Sequence, residues 1–192
     1  MPYCRYSDAV NHAYWEGLPG DILGYPVPFA QFIVKTDQAV VALQQVIAFP
    51  QGCSLSLRIA VGRGSMEEPA WERMLGRLTG EYPHATSAGG DLKFGVRLPG
   101  GSEAATVDNA FDVWTDPADW PEPPVLSQVG GGSVSGDQSY KGDRELWLWP
   151  LPPRKPFELV IEWKTMGVDS AAVTLDGDAF ARAAGQARPY WE

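Results

Sequence analysis

Cysteine and histidine are scarce in this chain of 192 residues, which holds Cys4, Cys53, His12 and His84 and no others of either type. These four could supply zinc ligands, but structural zinc sites place paired ligands a few residues apart, and none of them has that spacing. A Ser–His–Asp triad built around His84 would lack a nucleophile motif. We therefore predict no catalytic residue, no metal site and no cofactor.

Positive charge and long apolar runs are scarce too. The chain has 15 Lys and Arg against 24 Asp and Glu, a formal net charge of −9. Nucleic acids and anionic membranes attract Lys and Arg, so we expect neither as a partner. No run approaches the roughly 20 apolar residues of a membrane-spanning helix. The first residues also lack the apolar centre of a signal peptide, so the cytoplasm is the expected location.

Tryptophan, glycine and proline are abundant, with 8 Trp, 21 Gly and 17 Pro. Many turn-forming residues are typical of an all-β protein, and an apolar fraction of 44% is enough for a hydrophobic core. The length suits one domain.

Residues 145–163 are the most informative stretch, because apolar alternation runs on both sides of a proline cluster. Proline has no amide donor and interrupts a strand ladder, so a turn near Pro153 and Arg154 is expected. We predict a β-hairpin in which Leu151 lies opposite Pro156.

This register divides the hairpin into two faces, because side chains alternate along a strand. One face is predicted to be core and consists of Leu146, Leu148, Phe157, Leu159, Ile161 and Trp163. The other face holds Val160 and the candidate ligand-binding residues Glu145, Trp147, Trp149, Glu158 and Glu162.

The second face has two interpretations. Left bare, it is an aromatic platform suited to stacking a sugar or gripping a peptide; covered, it is a second core layer with acids at its rim. In the predicted register Trp147 opposes Val160 and Glu145 opposes Glu162. That acidic pair could meet the separation of about 5–9.5 Å that a glycosidase needs. Two solvated rim acids are the simpler explanation, because opposed carboxylates repel.

Sequence patterns predict further strands at Phe29–Lys35, Cys53–Val61, Asp91–Leu98, Glu103–Asp108 and Val125–Val129. Ala39–Phe49 is apolar on both faces, which suits a central strand, and a helix is the alternative there. The glycine run 130–136 has no Gly-Lys-Ser/Thr leading into a helix, so it is not a phosphate-binding loop. We predict that it is a flexible loop between strands.

Two helices are expected, near 65–79 and 177–187. Ser65 and Glu68 have the spacing of a capping box, and Asp176 or Asp178 can cap the second helix. The small residues of the second helix would let it approach a sheet closely. It is therefore our first candidate for the cover over Trp147 and Trp149.

The absence of a βαβ rhythm favours a mainly antiparallel arrangement. We predict a mainly β fold, an antiparallel two-sheet sandwich or a partly open barrel, with two short flanking helices. Residues 1–28 are predicted to be an aromatic N-terminal arm, and 29–192 a single domain.

The chain resembles a family of uncharacterised actinobacterial proteins. The likeness rests on the glycine run 130–132, on Trp-Leu-Trp-Pro-Leu-Pro-Pro at 147–153, on Glu162-Trp163 and on Ala-Arg-Pro-Tyr-Trp at 187–191. A fainter likeness covers Val34–Leu57. Family members often have a longer glycine run, which Ser133 interrupts here. The resemblance implies no activity and transfers no functional residue.

Two functional hypotheses follow. The first is a non-enzymatic module that binds a protein partner or itself, supported by the aromatic arm, the abundant tryptophan and the missing catalytic motifs. The alternative is a carbohydrate-binding domain or glycosidase that uses the face of Trp147 and Trp149.

Overall fold

A computed structural model of the chain describes residues 14–79, 92–107 and 121–191. Within them the chain is mainly β. The strands are β1 (Ile22–Leu23), β2 (Tyr25–Lys35), β3 (Ala39–Ala48), β4 (Cys53–Gly62), β5 (Leu92–Arg97), β6 (Glu103–Val107), β7 (Val125–Ser135), β8 (Ser139–Trp149), β9 (Pro156–Trp163), β10 (Val168–Asp176) and β11 (Arg188–Pro189). The helices are α1 (Glu68–Thr79), α2 (Gly177–Ala184) and a 3-10 turn, Lys164–Met166.

Nine strands form one sheet in the order β10-β9-β5-β6-β7-β8-β4-β3-β2. Neighbouring strands are antiparallel except β6 and β7, which are parallel. The edge strands β2 and β10 contact each other, so the sheet curls into a nearly closed barrel. The predicted mainly β, mainly antiparallel fold with two helices is confirmed. Of the two architectures predicted, the partly open barrel describes the sheet better than the two-sheet sandwich.

The barrel interior is filled by the inward faces of the strands. All six residues of the predicted core face are buried, namely Leu146, Leu148, Phe157, Leu159, Ile161 and Trp163. The alternating residues of β4, from Cys53 to Val61, are buried as predicted. Full burial of one such side chain contributes about 1.5–3 kcal/mol, which makes this interior the main source of stability.

The predicted hairpin between β8 and β9 is wrong. β8 lies between β7 and β4, whereas β9 lies between β5 and β10. Trp147 opposes Ser54 and Ser127 rather than Val160, which opposes Gly95. Alternation decides which face of a strand is buried but not which strand lies beside it, so the sequence supports either pairing. The proline-rich connection crosses to another part of the sheet instead of turning back.

The two helices pack at opposite ends of the barrel. α1 contributes Trp71 and Leu78 to the core, and α2 contributes Phe180, whose ring packs edge-on against Phe157 with 5.6 Å between centroids. α2 contacts β2, β3 and β9 rather than β8, so the prediction that it covers Trp147 is wrong. Its alanine stripe fits any closely approaching surface and therefore does not identify the strand beneath it.

The predicted helix starts had different outcomes. Asp176 caps α2 as expected, its side chain accepting a hydrogen bond from the Asp178 amide at 3.0 Å. Ser65 does not cap α1, which begins at Glu68. The Met66 amide is instead bonded to the Arg63 carbonyl at 3.0 Å, in a turn that precedes the helix.

The glycine run is a strand and not the predicted loop. Gly130 to Ser135 belong to β7 and pair with Glu145 to Tyr140 of β8. A Cβ atom on Gly131 would lie 2.5 Å from the Asp143 carbonyl oxygen, so the close approach of the two strands requires glycine there. Only Gly136 lies beyond the strand.

Several predictions lie outside the described residues, among them the metal-ligand candidates Cys4, His12 and His84. Tyr25 to Pro28 belong to β2, so the barrel begins within the range assigned to the aromatic arm. Over the described ranges, no helix is long and apolar enough to cross a membrane.

Candidate functional site

A two-stranded ribbon joins an early and a late segment of the chain. β1 pairs antiparallel with β11, which places Leu23 opposite Arg188. The Tyr190 amide extends the pairing by donating to the Asp21 carbonyl at 2.9 Å. We call residues 21–25 and 188–191 the terminal ribbon.

Large apolar side chains of the terminal ribbon are exposed to solvent. The exposed fractions are 58% for Leu23, 48% for Tyr25, 51% for Tyr190 and 83% for Trp191. Leu23 is opposed to Arg188, and Tyr190 lies two residues after Arg188, so Leu23 and Tyr190 lie on the same side of the ribbon. Clustered apolar surface of this kind marks interaction sites in soluble proteins.

Gly24 holds the terminal ribbon against the barrel. A Cβ atom at this position would lie 2.5 Å from Ile47 Cγ2 and 2.6 Å from the Phe49 ring. The missing side chain therefore lets the backbone pack directly on two hydrophobic residues. Leu23 and Tyr25, on either side of Gly24, are consequently held by a backbone that packs on the barrel.

Trp147 is covered by the chain itself. It is fully buried, its indole Nε1 donates to the Tyr14 carbonyl at 2.7 Å, and its ring packs edge-on against Phe49 at 5.6 Å. Trp149 is half-buried. For Trp147 the covered interpretation holds, and the cover is the segment around Tyr14 rather than a helix.

The five predicted site residues do not form one site. Glu145 lies on β8, where its carboxylate accepts from the Ser54 hydroxyl at 2.7 Å. Glu158 and Glu162 lie on β9, four strand positions away in the sheet. Strands lie about 4.8 Å apart, so roughly 19 Å of sheet separates β8 from β9. The predicted opposition of Glu145 and Glu162 is wrong, and with it the glycosidase-like pair.

A groove of about 340 Å³ lies on the outer face of β5, β6 and β9. Glu162 lines it, and Glu158 stands at its edge, bonded to Arg97 at 3.1 Å. Arg97 also contacts Glu103 at 3.3 Å. These ion pairs are about half exposed, so each contributes little to stability.

Arg144 was not predicted to have a role. Its side chain points into the barrel, where the guanidinium donates to the Leu78 carbonyl at the end of α1 and to the Tyr140 hydroxyl at 3.2 Å. A cation is favourable at a helix C-terminus because of the partial negative charge there. The sequence carried a signal, since Arg144 is in phase with Leu146 and Leu148.

Two further observations bear on chemistry. Burial raises the pKa of the Cys53 thiol, which stays protonated at neutral pH and is a poor nucleophile. Over the described residues, no group of three or more His, Cys, Asp or Glu side chains could hold a metal ion.

Comparison with known proteins returns no relative. No protein-family model, no curated protein and no solved structure matches the chain.

Proposed function

We propose that this protein is an interaction module whose contact surface is the terminal ribbon. The observation that supports the proposal is that Leu23, Tyr25, Tyr190 and Trp191, each about half exposed or more, all belong to this one short ribbon. Tyrosine and tryptophan supply large contact area with few rotatable bonds and are enriched at protein interfaces.

The size of the surface sets the expected affinity. Large aromatic side chains bury about 150–250 Å² each, so Tyr25, Tyr190 and Trp191, each half exposed or more, together with Leu23 offer roughly 400 Å² per molecule. Two copies joined through this surface would bury roughly 800 Å², less than the about 1,600 Å² of a stable interface. The ribbon therefore supports a transient contact between copies, or a stronger one with a partner that covers more surface.

The test is sedimentation velocity over a wide range of protein concentration. We expect the wild-type protein to shift towards larger species at high concentration, and the double variant Tyr190→Ser, Trp191→Ser to remain monomeric. The matched control is Phe32→Ser with Val134→Ser, because these residues are 59% and 78% exposed but lie outside the terminal ribbon. This control should associate like the wild type.

If the wild type remains monomeric, a different protein has to be the partner. A photocrosslinking amino acid at position 190 should then capture a discrete protein from a cell extract, whereas the same group at position 134 should not. Equal capture at both positions, or none at either, would overturn the proposal.

The carbohydrate alternative stays a prediction that the geometry does not favour. Trp147 is fully buried, and Glu145 lies on a different strand from Glu162. No aromatic platform with a flanking pair of carboxylates is formed by these residues.

A further inference from the structure

Side chains on the outer face of β5, β6 and β9 lie in three rows across the strands. The middle row consists of Ala105, Gly95 and Val160, which are neighbours in the register of the three strands. Small side chains between longer charged rows leave a depression, and this is the groove of about 340 Å³. Its volume is at the lower end of the range for small-molecule sites.

The two charged rows differ in whether their side chains form ion pairs. On one side Arg97 bridges Glu103 and Glu158 with contacts of 3.3 and 3.1 Å. On the other side Lys93 lies directly opposite Glu162 in the register. Among the ion pairs and hydrogen bonds of the described residues, neither the Lys93 ammonium nor the Glu162 carboxylate takes part.

The groove therefore offers one ammonium and one carboxylate side by side, above an apolar floor. A ligand with a single charge would pair with either Lys93 or Glu162. Its charge would then lie close to the second of these residues, which has the same sign as the ligand. A molecule that carries an ammonium group and a carboxylate on the same carbon atom satisfies both, because each of its groups faces an opposite charge. An apolar substituent of such a molecule would lie on Gly95 and Ala105, beside the edge of the buried Val160.

We propose that this groove binds a small zwitterion of the amino-acid type with an apolar side chain. Its ammonium group pairs with Glu162, its carboxylate pairs with Lys93, and its side chain lies over Gly95 and Ala105. The site is independent of the terminal ribbon and of the function proposed for it. Because the groove is open to solvent and the charges are accessible, the binding is in the millimolar range.

The test is a titration of the isotope-labelled full chain with L-valine, followed by backbone amide shifts. We expect saturable shifts confined to β5, β6 and β9. Glu162→Gln and Lys93→Gln should each weaken binding by about tenfold, the effect of one lost charge-assisted contact. Ala105→Leu, which fills the floor, should abolish the shifts. The spectra also report directly whether each variant is folded.

Matched ligands and a matched variant make the result decisive. Valinamide lacks the carboxylate and N-acetylvaline lacks the ammonium group, so both should bind at least about tenfold more weakly than valine. Lys141→Gln changes an exposed lysine on the outer face of β8 and should bind valine like the wild type. The proposal is overturned if valine causes no saturable shifts. It is equally overturned if either blocked ligand binds as well as valine does.

Discussion

Cys53 shows how burial sets the chemistry of a single residue in this protein. Its side chain is fully buried in β4, opposite Ala48 and Leu148. The apolar surroundings disfavour the charged thiolate, which raises the pKa of the thiol. Folding therefore keeps a proton on Cys53 that the unfolded chain releases at alkaline pH.

This linkage predicts the sign of a pH dependence. Above the unfolded-state pKa of about 8.5, the folded state binds more protons than the unfolded state, so the free energy of unfolding falls as pH rises. The slope from this one group is about 1.4 kcal/mol per pH unit. Urea unfolding between neutral and alkaline pH should show a shallower decline for Cys53→Ala than for the wild type. Parallel declines would show that the thiol ionises equally in both states.

Two neighbouring glycines predict opposite responses to the same substitution. Gly131 has a φ of +150°, and a Cβ atom there would lie 2.5 Å from the Asp143 carbonyl oxygen. Gly132 has no atom within 4 Å of the corresponding position. We expect Gly131→Ala to lower the free energy of unfolding by about 1–3 kcal/mol. Gly132→Ala should change it by less than about 0.5 kcal/mol.

Urea unfolding of both glycine variants measures this difference. Because both positions lie in the same exposed part of β7, the comparison separates the backbone contact from any general effect of adding a methyl group. Equal stabilities for the two variants would contradict the close pairing of the glycine run with β8.

At the scale of elements, α2 depends on one aromatic residue. Phe180 is fully buried and its ring contacts Phe157. Truncation to alanine leaves a cavity that the strands of the barrel cannot fill, so Phe180→Ala should lower the free energy of unfolding by about 3–5 kcal/mol.

The matched control on the same helix is Arg182→Ala. Arg182 is exposed and forms ion pairs with Asp176 and Asp178, which contribute at most about 1 kcal/mol. Chemical unfolding should therefore distinguish the two variants clearly. A small effect of Phe180→Ala would indicate that α2 does not close this end of the barrel.

Sequence patterns predicted where strands lie in the chain better than which strands pair with each other. Alternation identified β4 and the buried faces of β8 and β9, because a period of two is a local property of a strand. The same pattern could not reveal that β9 pairs with β5, since any strand with a matching apolar face would bury those residues equally well. Glycine runs are typical of loops. This run is a strand in which the backbone of Gly131 lies so close to the Asp143 carbonyl that a side chain would not fit, and the sequence alone does not reveal that contact.

The sequence predicted that aromatic residues contribute to the candidate site, but it did not predict that β1 and β11 pair to form it. The aromatic arm at 1–28 is a predicted feature that favours protein binding, and Tyr25 of that range lies in the terminal ribbon with Leu23, Tyr190 and Trp191. Tyr14, which also belongs to that range, lies outside the ribbon, and its carbonyl accepts a hydrogen bond from Trp147 Nε1. Pairing between residues so far apart in sequence leaves no local signal.

At the scale of the whole molecule, the closure of nine strands around one core determines where both candidate surfaces lie. In the closed sheet β8 and β9 are not neighbours, so Glu145 and Glu162 cannot form the predicted carboxylate pair. Glu162 instead lines the groove on β5, β6 and β9. Closure also leaves β1 and β11 as a separate two-stranded sheet beside the barrel, where Leu23 and Tyr190 remain accessible. Both proposals therefore depend on the strand order.

Cross-strand nuclear Overhauser contacts between backbone protons test the strand order most directly. The structure predicts contacts from Trp147 to Ser54 and Ser127, and from Val160 to Gly95 and Ala172. A hairpin of β8 and β9 would instead give contacts between Trp147 and Val160, and that result would contradict the barrel and the placement of both surfaces.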